Sequence, residues 1–161
     1  MSKINLKALY KNYQQYCTYI DQVNLKLTRQ IRKPNFPEAI SENIVVNILG
    51  KDHIWSTTKG DITNKKGHVI EVKCSKNSLS PISFGPTIKW DRLVLVKIID
   101  EKITVYNVDS TKSNFLQVMV NKSESFSDQC KSKRRPRITL TNLLKQIEYT
   151  VLYDGPIDNV L

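Results

Sequence analysis

Residues 92–99, RLVLVKII, are an almost unbroken apolar run rich in β-branched side chains. Such a run reads as a central strand covered on both faces. Asp100-Glu101 interrupts it, and KITVYNV (102–108) resumes it, so the pair is expected to form a hairpin. Upstream, GHVIEVKC (67–74) alternates. On a strand this puts Ile70, Val72 and Cys74 on one side and Val69, Glu71 and Lys73 on the other. Two opposite charges within a β-branched run are costly to bury unless they pair or hold something.

The flanking segments carry a helical period. Leu6, Leu9, Tyr13, Tyr16, Ile20, Val23 and Leu27 follow a 3-4 spacing within residues 3–33, a stripe that serves either as core or as a dimer seam. RKPNFP then breaks the helix. PEAISENIVVNILG is the clearest second helix: Pro37 suits its first position, Glu38 the N-terminal dipole and Gly50 its stop. Its buried face is Ile40, Ile44, Val45, Ile48 and Leu49. SKNSLSPISFGPT (75–87) is a long loop of the kind that often carries function. Residues 111–137 read as mostly irregular, and TLTNLLKQIEYTVLY (139–153) as a C-terminal helix burying Leu143, Leu144, Ile147 and Val151. The chain is expected to be a single domain over 1–161, with an N-terminal helical region (1–35), a core (36–110), and a basic loop and C-terminal helix (111–161).

Charge narrows the partners. The 161 residues carry 25 Lys and Arg against 15 Asp and Glu, a net charge of +10. That balance points to a polyanion. The cations are scattered instead of lining one amphipathic face, which argues against a membrane surface, and no run approaches a membrane span. Three widely spaced cysteines without a CxxC pair, and only two histidines, argue against structural zinc and against a disulfide framework. An intracellular protein is expected.

The chemistry concentrates in Asp61, Glu71 and Lys73. A hairpin of 61–63 and 67–74 around the turn NKKG brings Asp61 beside Glu71, and Glu71 and Lys73 share a face. Neighbouring carboxylates repel, a divalent cation relieves the repulsion, and hard oxygen ligands favour Mg²⁺. Lys73 is then placed to orient a water and to stabilise charge on a phosphate. KSKRRPR has five cations in seven residues. It suits phosphate contact, or guanine reading through an arginine, and includes Lys133, Arg134, Arg135 and Arg137. Ser83 and Lys89 are candidate DNA contacts in and after the long loop. Trp90 and Cys74 read as core, and His53 and His68 as surface.

The order of a helix with Glu, then GDI, then IEVKC resembles the PD-(D/E)XK nucleases, and among them the type II restriction endonucleases. SFGPTIKWD and QCKSKRRPRI extend the resemblance over roughly residues 36–147. It implies a restriction-endonuclease-like α/β core, a central mixed β-sheet flanked by helices. It also implies Mg²⁺-dependent, site-specific hydrolysis of double-stranded DNA by a homodimer. Asp61 and Glu71 map to the metal carboxylates, with the Val72 carbonyl as third ligand, and Lys73 maps to the residue that positions the attacking water. The first core helix often adds an acid, here Glu42 first and Glu38 second. Gly60 stands where the family's name has proline. The alternatives are a repair or junction-resolving nuclease of the same fold, and a non-catalytic basic DNA-binding domain.

Overall fold

The computed structural model describes residues 5–56, 60–77 and 79–161. A six-stranded mixed sheet lies between two helical layers. Its strands are β1 (His53–Trp55), β2 (Ile62–Asn64), β3 (Val69–Ser75), β5 (Arg92–Ile99), β6 (Lys102–Val108) and β8 (Tyr149–Pro156), side by side in that order. All neighbours are antiparallel except β3 and β5, which run parallel. β4 (Pro81–Ser83) and β7 (Arg137–Thr139) pair separately as a short antiparallel ribbon. The expected architecture, a mixed sheet flanked by helices, is borne out.

β5 explains the layering. Val94, Val96 and Ile98 point into one core with Ile70 and Val72 of β3, beneath Ile40, Ile44 and Val45. Leu93 and Leu95 point into a second core, where Phe84, Trp90, Phe115 and Phe126 pack. Edge-to-face contacts at 4.8–5.6 Å join these rings, a geometry favoured by the aromatic quadrupole. Trp90 is core, as read. The helix α2 (Glu38–Leu49) roofs the first core, with Pro37 at its N-cap and Gly50, at φ +86°, ending it. α3 (Lys112–Leu116), α4 (Phe126–Lys131) and α5 (Leu140–Leu144) close the second.

Several boundaries differ from the sequence reading. α1 covers Leu6–Asn24, short of residue 33. Asn24 stops it by turning on the chain ahead: its Oδ1 accepts the Ile31 N–H at 2.7 Å and its amide donates to the Ile31 carbonyl at 2.9 Å. The buried stripe is also rotated toward Tyr10 and Cys17. Leu6, Tyr10, Cys17 and Ile20 are buried, whereas Leu9 and Tyr16 are exposed. Residues 111–137 lie mostly outside regular elements, as expected, but hold two short helices that the sequence reading lacks, α3 and α4, the latter with a Ser125–Asp128 capping box. The expected C-terminal helix stops at Leu144, and Tyr149–Pro156 joins the sheet as β8 beside β6, leaving Val151 exposed.

Candidate active site

The hairpin that carries the charges is made by its turn. Asn64 Oδ1 accepts the Lys66 and His68 N–H groups at 2.9 and 3.0 Å, and Gly67 takes φ +79°. The resulting register pairs Ile62 with Ile70 and Thr63 with Val69. One step further along, Asp61 comes to the level of Glu71. Its Oδ2 accepts the Val72 N–H at 2.7 Å. Asp61 is therefore fixed to the backbone between the two charged side chains of β3.

Gly60 is the local reason for this approach. It sits at φ +63°, and a Cβ there would collide with the Val69 side chain. Proline, locked near φ −65°, cannot take this conformation. The missing proline of the motif thus has a backbone cause.

On the charged face of β3, Lys73 Nζ stands 2.5 Å from Glu71 Oε1, each side chain about a quarter exposed (23%). Their neighbours Ile70 and Val72 are buried on the other face. Burial raises the Asp61 carboxyl above its ordinary pKa, the Glu71 charge adds to the rise, and the Val72 N–H and the Lys73 charge oppose it. Glu42 on α2 is likewise raised, first by burial and then by the charges of Asp61 and Glu38. The indole N–H of Trp55 and the Lys73 charge act against that rise. Asp61, Glu71 and Lys73 are brought together as read, and Glu42 lies within electrostatic reach of Asp61 and Lys73 from α2.

Among the described residues no three His, Cys, Asp or Glu side chains close into a ready-made cation cage. The donor set nevertheless suits a hard divalent cation. The Glu71 charge acts on the Asp61 carboxylate, and the repulsion between two such carboxylates is what an ion of that kind relieves.

Two of the candidate nucleic-acid contacts, Ser83 and Arg137, meet on the β4–β7 ribbon, where the pairing places them opposite each other. The Ser83 Oγ is enclosed and has no partner among the described residues. Lys89, Lys133, Arg134, Arg135 and Arg137 are exposed, and Lys133 turns the chain at φ +55°. Arg134 is engaged within the fold by an ion pair with Glu124. Sequence reasoning missed β1 and Trp55, whose Nε1–H donates to Glu42 Oε2. Only an exposed aromatic near Asp61 hinted at it.

A sequence-family model described as Bsp6I restriction endonuclease matches residues 1–147. The chain belongs to the Bsp6I restriction endonuclease family. A curated relative, the type II restriction enzyme Bsp6I of Bacillus sp. (strain RFL6), is 29% identical over 114 residues, 68% of this chain. The match spans 65% of the relative's own length, just under two thirds. The restriction-endonuclease resemblance read from GDI and IEVKC thus holds at the level of the family. The family model reaches from α1 through α5, so the Bsp6I family match takes in the hairpin, Gly60 and the basic ribbon.

Proposed function

We propose that the chain is a type II restriction endonuclease that hydrolyses phosphodiester bonds in double-stranded DNA at a specific sequence, with Mg²⁺ as cofactor, acting as a homodimer. The observation that carries this is the Asp61 carboxylate held on the Val72 N–H between Glu71 and Lys73. Asp61, Glu71 and the Val72 carbonyl would hold the cation. When bound, Mg²⁺ supplies Lewis-acid polarisation of the phosphate and lowers the pKa of water.

The chain's own groups do the rest. Lys73 Nζ orients a water for in-line attack on phosphorus and compensates the charge that develops there. The P–O3′ bond breaks, the 3′ oxygen leaves and takes a proton, and the products carry 5′-phosphate and 3′-hydroxyl ends. Glu42 adds a carboxylate from α2. Lys89, Lys133, Arg135 and Arg137 supply phosphate and base-edge contacts on the exposed ribbon side, consistent with a net charge of +10.

The test is cleavage of unmethylated phage DNA, with Mg²⁺ or with EDTA, by the parent and by Lys73→Ala. Discrete fragments that need Mg²⁺ and disappear in Lys73→Ala are expected. A Mg²⁺-dependent smear would favour a nuclease without site specificity. DNA that shifts in mobility but stays intact would leave a binding protein.

A further inference from the structure

We infer that Trp55 is a positioning residue of this active site, one that ties Glu42 to Asp61. The inference rests on the proposed catalytic role of the acidic cluster and goes beyond it by assigning a residue outside the Asp–Glu–Lys motif.

Two bonds of different kinds meet at this point of β1. The indole N–H of Trp55 donates to Glu42 Oε2. The next residue, Ser56, donates its backbone N–H to the Asp61 carbonyl at 2.9 Å. The β1–β2 register sets Trp55 opposite Ile62, the residue after Asp61. A single dipeptide thus grips the α2 acid Glu42 through a side chain and Asp61, just before β2, through the backbone.

The chemistry of the donor matters. Glu38, Glu42 and Asp61 are close enough for their charges to oppose one another, so Glu42 left alone is driven toward solvent. A lysine or arginine would hold it but would also neutralise it and repel a cation. Indole is a donor with no charge. It holds the carboxylate while leaving its charge available to the site. The ring is 40% exposed on a three-residue strand at the edge of the sheet, so core packing does not account for it. Trp90, the other tryptophan, is 7% exposed within the second core and provides an internal reference.

Four proteins test this: the parent, Trp55→Phe, Glu42→Ala and the double variant, each shown by far-UV circular dichroism to be folded. The first readout is tryptophan emission without metal or DNA. Removing the Glu42 carboxylate is expected to shift the Trp55 emission, and the shift should vanish when Trp55 is already Phe. The second readout is steady-state cleavage with Mg²⁺. Trp55→Phe is expected to lower kcat roughly 10- to 100-fold with KM little changed, as for other groups that orient site ligands, and the double variant should be no slower than Glu42→Ala. Identical emission spectra for the parent and Glu42→Ala would overturn the contact. Full activity of Trp55→Phe, or losses that multiply in the double variant, would overturn the positioning role. A parent protein that leaves DNA intact would overturn the nuclease reading itself, whereas a cutting parent with an equally active Trp55→Phe overturns the Trp55 assignment alone.

Discussion

Asp61 pays a cost in the unliganded fold. Burial, and behind it the Glu71 charge, lift its carboxyl pKa above the unfolded value of about 3.9. A carboxyl raised in this way stabilises the fold fully only below the unfolded value, and that contribution is lost as pH rises through the folded one. Asp61→Asn keeps an acceptor for the Val72 N–H and removes the charge. It is expected to be more stable than the parent near neutrality, while losing cleavage. Urea melts at about pH 8 and about pH 4 check the sign, since the advantage should shrink as the parent's Asp61 becomes protonated. Mg²⁺ should raise the melting temperature of the parent and leave Asp61→Asn unmoved. At this scale much of the candidate site was legible. Glu71 and Lys73 are two apart on a strand, and the ten-residue step back to Asp61 fits a hairpin. Trp55 was not legible, because its bond to Glu42 joins an edge strand to a helix 13 residues earlier, and no local period encodes that contact.

Among the elements, the β5–β6 hairpin is sharp but poorly furnished. Ile99 pairs with Lys102, leaving a two-residue turn in which Asp100 and Glu101 both take positive φ, 48° and 64°. The twist of the strands demands this primed turn, and glycine or asparagine fills it most cheaply. Glu101→Gly is expected to stabilise the fold by about 1 kcal/mol, slightly offset by loss of the Gln14 side-chain bond to Glu101. A higher urea midpoint at unchanged m-value would show it. The hairpin could be read from sequence because the apolar runs stop at those two residues. The C-terminal segment could not. Leu143, Leu144 and Ile147 carry a helical spacing that continues into Val151, yet β6 lacked a neighbour on its outer side. Pairing of Tyr149–Pro156 with β6 satisfies that edge, so a tertiary demand overrode the local period. The ribbon of β4 and β7 was hidden for the same reason: each strand has three residues, too short to show a period without its partner.

For the whole molecule, the unabsorbed half of the α1 stripe has a consequence. Leu9 and Tyr16 lie seven residues apart on the outward face, with Tyr19 alongside, and Leu25, Leu27 and Ile31 follow beyond the helix end, all exposed. Asn12 and Gln15 complete that face, and Lys11 flanks it beside Gln15. On a chain with a net charge of +10, this strip of exposed apolar side chains is where a second copy can approach with less repulsion than on the basic faces. We therefore place the seam of the proposed homodimer there. Sedimentation should report twice the mass of one chain, and Tyr16→Glu combined with Leu9→Glu should shift the equilibrium toward monomer with the circular dichroism spectrum unchanged, because both side chains already face water. Salt separates the two kinds of association. Screening relieves repulsion between like-charged copies, so the dimer should tighten as ionic strength rises. DNA binding through Lys133, Arg135 and Arg137 should weaken over the same range, with each lost phosphate contact reducing the slope of log K against log salt by about 0.9. A dimer that persists in the double variant would place the seam elsewhere, and opposite salt responses in the parent would show that copy and DNA meet different faces of the molecule.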